Sequence, residues 1–302
     1  MKDQASALRQ IVDNLRKQRT REPGEGARII CVTSGKGGVG KTSISVNLGI
    51  SLAKKGLRVL LFDADFGLSN IDVMLGVSPQ YDLSYVLRGQ KKIGEIIAEG
   101  PGGINFVSGG SGMNVLLNMS EIQLSAVIDN LVLLEDAADI IIFDTGAGVN
   151  PLIMRMIRSS QETIVVTTPE PTAIMDAYAL VKSIAADTPD GALRLLVNRA
   201  ESSAEAEATL QKFVAVVKLY QKTDMDLLGY VLDDPSVSRG VRIQQPFVLS
   251  YPRCAATRNI ETIAWKLLDR QPETASTGIR GFLGRLLGRG EKPARNEKPD
   301  EE

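Results

Sequence analysis

The 302-residue chain contains no histidine, so neither a histidine general base nor a histidine-bound metal is available to its chemistry. Its two cysteines, Cys31 and Cys254, stand far apart and form no C-x-x-C pair, which leaves no framework for a cysteine-held cluster. Cys31 lies in an apolar run, where a free thiol behaves as a small hydrophobe, and a reducing cytoplasm is the expected setting. No run of about 18 apolar residues exists, so no membrane-spanning helix is expected. The opening Met1-Lys2-Asp3-Gln4 is polar and does not read as a signal peptide. The net charge of −1 argues against a surface built for nucleic acid, and no direct nucleic-acid partner is expected. What remains is ordinary globular usage, 43% hydrophobic and 24% charged, enough for one large α/β domain with tails.

The most informative stretch is Gly35-Lys36-Gly37-Gly38-Val39-Gly40-Lys41-Thr42, followed by Ser43. It satisfies G-x-x-x-x-G-K-[ST] through Gly35, Gly40, Lys41 and Thr42. The apolar run Ile29–Val32 precedes it as a strand, and Ile44, Leu48 and Leu52 fall on one helical face after it. In that context backbone N–H groups and a helix N-terminus form a seat for phosphates. Lys41 is expected on the β/γ-phosphates and the Thr42 hydroxyl on Mg²⁺.

Further along, apolar strands are expected at 29–32, 59–62, 104–107, 140–143, 164–167, 193–197 and 227–231, with helices at 120–134, 172–184, 204–220 and 255–268. The strand runs are nearly continuous rather than alternating, which predicts a doubly wound, mainly parallel sheet with helices on both faces. The expected organisation is a helical head (1–19), a linker (20–27), an ATPase domain (28–270), a second linker (271–277), an amphipathic helix (278–289) and a disordered tail (290–302). Ala5, Leu8, Ile11, Val12 and Leu15 form the apolar stripe of the head.

Ligands of open α/β sheets bind beyond the carboxyl ends of the strands. Two such ends carry carboxylates, Asp63-Ala64-Asp65 and Asp144-Thr145-Gly146. Mg²⁺ keeps several waters and needs one or two carboxylates nearby, which Asp63 and Asp144 could supply alongside Thr42. Near the end of the chain, Ile279, Phe282, Leu283, Leu286 and Leu287 share a face that Arg280, Arg285 and Arg289 avoid, the pattern of an interfacial helix on an anionic membrane. Its glycines each oppose helix formation by about 1 kcal/mol relative to alanine, so this segment is expected to be disordered in water and to fold on lipid.

With Lys36, the loop resembles the deviant Walker A loop of the MinD/ParA ATPases. The resemblance implies ATP as ligand, an ATP-dependent homodimer, and a Lys36 that reaches the partner's phosphates. It implies that Asp65 orients the attacking water, Asp144 is the Walker B acid, Asn70 lies near the phosphates, and the Gly146 N–H senses the γ-phosphate. It also places Asn198 at the adenine and the segment Leu232-Asp233-Asp234-Pro235 beside the base, and no N-K-x-D guanine signature is present.

Within that group, residues 144–179 and Gly109-Gly110-Ser111-Gly112-Met113 resemble FlhG-type proteins, which control flagellar number and placement. Asp3-Gln4-Ala5-Ser6-Ala7-Leu8-Arg9 fits their D-Q-A-x-x-L-R motif. By resemblance the head, through Asp3, Gln4, Leu8 and Arg9, docks on an FlhF-type GTPase and stimulates it. The expected site of action is the cytoplasm and the inner face of the cell membrane. A flagellar switch protein or transcription regulator as second partner is left open. The alternative reading is a positioning ATPase for another cargo, such as a division site, a chromosome or a chemotaxis array. A DNA segregator, a cluster carrier and a tyrosine kinase fit less well, for want of basic surface, paired cysteines and a terminal tyrosine cluster.

Overall fold

The computed structural model describes residues 26–65, 70–110, 130–186, 191–221, 223–269 and 278–287. The head motif Asp3–Arg9, the Ser111–Met113 part of the glycine-rich stretch, most of the expected helix 120–134 and the tail beyond 287 lie outside the described residues.

Chain order is β1 (Arg28–Ser34), α1 (Lys41–Ala53), β2 (Val59–Ala64), α2 (Ile71–Leu75), α3 (Leu83–Leu87), α4 (Ile93–Ile96), β3 (Ala98–Glu99), β4 (Asn105–Val107), α5 (Leu134–Ala137), β5 (Ile140–Ala147) and α6 (Pro151–Ser159). Then follow β6 (Glu162–Thr167), α7 (Pro171–Ala185), β7 (Ala192–Ala200), α8 (Ser203–Gln221), β8 (Asp226–Leu232), α9 (Pro235–Arg242), α10 (Phe247–Ser250), α11 (Ala255–Asp269) and α12 (Gly278–Leu286). The eight strands form one sheet in the order β3-β4-β2-β5-β1-β6-β7-β8. Every pairing is parallel except the short edge strand β3 on β4. All seven expected strands are present, and the eighth, β3, is two residues long and too short to leave a periodic signal.

Alternation along β1 explains the two cores. Ile29 and Cys31 join a cluster with β5 residues Ile141 and Phe143 under α6, α7, α8 and α12. Ile30 and Val32 join the opposite cluster with Ile140 and Ile142 under α1 and α11. The central strands β1, β2, β5 and β6 are thus buried on both faces, as their continuous apolar sequence requires.

The C-terminal segment departs from expectation. Gly278–Leu286 is helical and its apolar face is packed into the body, with Ile279, Phe282, Leu283 and Leu286 all buried. Leu287 packs at the margin of the same core. The energetics favour this arrangement. Gly281 and Gly284, inside the helix, cost about 1 kcal/mol each, whereas four buried apolar side chains return roughly 1.5–3 kcal/mol apiece. Two polar contacts fix the helix further. The Arg280 N–H donates to Glu135 Oε1 at 3.4 Å, and Arg285 Nη2 donates to the Ser159 carbonyl at 2.8 Å, at the end of α6.

At the foot of the sheet, away from the phosphate loop, charged side chains around the buried Glu162 and Arg194 link four strands. Glu162 on β6 accepts from Arg28 Nη2 on β1 at 2.9 Å and pairs with Arg194 Nε on β7 at 2.8 Å. Arg194 also lies 3.7 Å from Asp226 on β8. Nearby, Arg58 Nη2 and Asp139 Oδ1 pair at 2.6 Å, both buried.

Candidate nucleotide site

The loop between β1 and α1 is shaped by close approaches that exclude side chains. A Cβ on Gly35 would lie 2.1 Å from the Asp176 carbonyl carbon of α7, so the loop rests directly on that helix backbone. Gly40 has φ +95°, and a Cβ there would meet Asn198 Nδ2 at 2.4 Å. The loop then delivers Lys41 and Thr42 into the first turn of α1, at the wall of a cavity of about 1010 Å³. Asp65, Asn70, Asn198 and Arg199 line the same cavity. This glycine cradle with a lysine, a hydroxyl and carboxylates converging on it fits a triphosphate with Mg²⁺.

Asp144 sits at the end of β5, fully buried. Thr42 Oγ1 donates to its Oδ2 at 2.6 Å and Ser45 Oγ to its Oδ1 at 2.8 Å. Burial pushes its carboxyl up to about 7, against the opposing pull of those two hydroxyls. Burial likewise lowers the Lys41 ammonium from its ordinary value, with Asp144 and Asp65 acting the other way. Thr42 and Asp144 are therefore brought together as the sequence led one to expect. Ser45 was not foreseen. It lies three residues beyond Thr42, so the helical repeat puts it on the same face of α1, and that spacing is the signal that could have found it.

Asp63, the other carboxylate expected near the metal, is held by backbone donors. Its Oδ1 accepts from the Asp65 N–H at 3.1 Å, and its Oδ2 from the N–H groups of Asn70 and Ile71 at 2.9 and 3.2 Å. Both oxygens thus hold the backbone at Asp65 and at Asn70–Ile71. Burial raises its carboxyl to about 6, with those N–H donors pulling the other way. Asn70 Nδ2 lies 3.2 Å from Asp65 Oδ2. A Cβ on Gly146 would lie 2.9 Å from Asp65 Oδ1, so Gly146 stands directly behind the Asp65 carboxylate, and Asp65 and Asn70 line the cavity there.

Of the residues expected on the base side, Asn198 and Asp234 line the same cavity and also make contacts of their own. Asn198 is nearly buried and donates through Nδ2 to the Val39 carbonyl at 2.8 Å, so as placed it braces the phosphate loop from below. Asp234 accepts from the Ser236 N–H at 2.9 Å and from the Ala255 N–H at 2.9 Å, joining the starts of α9 and α11. Within the expected segment, Leu232 and Asp233 line the cavity as well. Arg199 adopts a left-handed φ of 57° at the cavity wall, an unusual conformation for a side-chain-bearing residue and one that sequence pattern does not disclose.

Lys36 lies at the rim. Its Nζ is 3.1 Å from Glu170 Oε2 and 2.9 Å from Thr172 Oγ1, at the start of α7. Val73, Val149 and Val241 are about half exposed, and Val73 and Val241 line the cavity.

Comparison with known proteins agrees with this geometry. A ParA family model, described as a NUBPL iron-transfer P-loop NTPase, matches residues 26–268. The chain is 36% identical to antiactivator FleN of Pseudomonas aeruginosa over 256 residues, 85% of this chain and 90% of that one. It is 33% identical to flagellum site-determining protein YlxH of Helicobacter pylori over 294 residues, 95% of this chain and 99% of that one. Among solved structures, the cell division ATPase MinD of Pyrococcus furiosus superposes with a TM-score of 0.64 at 24% identity, covering 80% of this chain and 99% of its own. The septum site-determining protein MinD of Pyrococcus horikoshii, complexed with Mg-ADP, gives 0.64 at 25% identity, covering 80% and 96%. The iron-transfer description finds no support in the cysteines. Cys31 is buried in β1 with its thiol pushed far up by desolvation, and Cys254 lies at the start of α11.

Proposed function

Because this chain belongs to the MinD/ParA deviant Walker A ATPases, within their FlhG-type (YlxH/FleN) branch, we propose that it is an ATP-driven switch that sets flagellar number and placement. The observation that carries this reading is Lys36, part-exposed in the phosphate loop five residues before Lys41 and paired, among the described residues, only with the exposed side chains of Glu170 and Thr172. A lysine there is available to a second molecule facing the cavity. The half-exposed Val73, Val149 and Val241 give that face the apolar character of a dimer contact.

In this reading Mg²⁺ would be held beside Thr42 and Asp144, and it would supply charge neutralisation to the triphosphate. Lys41 and the loop N–H groups bind the phosphates, and Asp65, steadied by Asn70, orients water. Ser45 positions Asp144. The head, freed by the 20–27 linker, stimulates an FlhF-type GTPase through Gln4 and Leu8.

Membrane attachment is through α12. Its lipid-seeking face is buried in this form, so attachment requires the helix to leave the body. A route exists from the nucleotide. Gly146 is followed by the turn to Asn150, which caps α6 by accepting from the Ile153 N–H at 2.8 Å, and α6 is the helix on which α12 lies. A shift at Gly146 therefore bears directly on the seat of α12. A dimer presenting two such helices would bind a vesicle far more tightly than a monomer with one.

The test combines three measurements on the full chain: ATP turnover, co-sedimentation with anionic vesicles, and turnover of an FlhF-type GTPase. ATP should increase vesicle binding, and the chain should accelerate the GTPase, with Gln4→Ala losing that acceleration. Equal vesicle binding with and without ATP, or a GTPase indifferent to the chain, would remove the corresponding half of the proposal.

A further inference from the structure

Helices α7 and α8 leave between them an open apolar groove of about 620 Å³ that takes no part in the nucleotide site. Ile174, Met175 and Tyr178 form one wall, and Phe213, Val216 and Tyr220 the other. Met175 is 65% exposed, Tyr220 68% and the adjoining Leu219 70%, so a contiguous apolar strip faces water. Glu205 and Lys212 edge it. A strip of this kind, rimmed by charge and lying between two helices, is shaped for the apolar face of a third helix.

The sequence of the head supplies such a face. The stripe of the head, Ala5, Leu8, Ile11, Val12 and Leu15, spans ten residues, about 15 Å as a helix. Along α8 the groove runs from Ala208 to Tyr220, twelve residues or about 18 Å. The head is tethered close by. It joins the body at Gly26, at the foot of β1, and α7 packs over β1. Residues 20–25, extended, reach up to about 20 Å.

We infer that the groove between α7 and α8 is the resting seat of the chain's own residues 1–19. In that seat Leu8 and its neighbours on the stripe face the groove, so the head is withheld from other proteins until it is released. The seat shares its helix with the nucleotide site. Pro169 lines the groove, the next residue Glu170 holds Lys36, and Gly35 rests on the backbone of Asp176. Withdrawal of Lys36 from Glu170 therefore alters the first turn of the helix on which the head lies. The seat itself does not depend on which partner the head serves.

Hydrogen exchange on the full chain without nucleotide tests this through a reciprocal pair of variants. Val216 is 41% exposed, so Val216→Glu does not disturb the core, and Val12→Glu puts a charge on the apolar stripe of the head. Val12→Glu should speed exchange of the α7 and α8 amides lining the groove at least tenfold. Val216→Glu should do the same to amides of residues 5–15, and both effects should be unchanged on tenfold dilution. Exchange in the groove indifferent to Val12→Glu, or in the head indifferent to Val216→Glu, overturns the inference. So does wild-type protection that disappears on dilution, which would make a second copy the occupant, or protection that arises when a separate protein is added.

Discussion

Phe282 of the C-terminal helix stacks on Phe143 of β5, with ring centroids 4.5 Å apart and planes 20° from parallel. Phe143 is the residue before Asp144, so the seat of the helix and the buried acid of the site share one strand. If this stack is part of the resting body, Phe282→Ala should destabilise the nucleotide-free protein by about 3–5 kcal/mol, the usual cost of emptying a buried aromatic site. Urea denaturation measures it directly. A change below about 0.5 kcal/mol would mean that α12 is not docked in solution.

Lys36 and Asp65 should separate binding from turnover. Lys36→Ala should weaken ATP-dependent dimerisation while leaving the fold intact, because the side chain is at the rim and its partner Glu170 is exposed. Asp65→Ala should retain ATP, stall hydrolysis and accumulate dimer, since it removes water positioning and no phosphate contact. Light scattering with Mg-ATP distinguishes the two. An Asp65→Ala protein that stays monomeric or hydrolyses normally would count against the assignment.

The raised carboxyl of Asp144 gives a pH dependence of defined sign. Its folded value of about 7 lies above the ordinary 3.8, so the native state holds a proton that the unfolded chain releases. Stability of the nucleotide-free protein should therefore fall as pH rises between about 4 and 7, and Asp63, raised to about 6, acts in the same direction. Asp144→Asn removes the buried charge. It should raise the melting temperature at pH 8, by an effect on the order of a few kcal/mol at most, and change it little at pH 5. A variant no more stable than wild type at pH 8 would contradict this account.

Glu162→Ala should be among the most damaging single changes remote from the site. It removes the carboxylate that Arg194 Nε meets at 2.8 Å and Arg28 Nη2 at 2.9 Å. Breaking a buried pair from one side costs about 3–5 kcal/mol. Replacing Glu162 with Gln should recover part of that loss by keeping an acceptor between the two guanidinium groups. Thermal unfolding of the two variants side by side checks the order.

Much of the site was legible in the sequence because its determinants are local. The spacing of Gly35, Gly40, Lys41 and Thr42 lies within eight residues, and the apolar runs ending at Asp63 and Asp144 place those carboxylates at strand ends by the geometry of a parallel sheet. The continuous apolar strands likewise announced a sheet covered on both faces, and the sheet is so covered.

Tertiary contacts decided the rest, wherever a residue's role depends on what the chain brings to it from afar. Asp63 stands at a strand end, and it also accepts from the N–H groups of Asp65, Asn70 and Ile71, a task that its place in the sequence does not announce. Asn198, 159 positions from Val39, braces the phosphate loop. The amphipathic pattern of 278–289 determined that one face must be buried, but lipid and the α6–β5 surface satisfy the same pattern equally well. Sequence specifies the apolar face, and the free energy of the competing surfaces selects its partner. In this form of the protein that partner is the body, with Phe143 beneath Phe282.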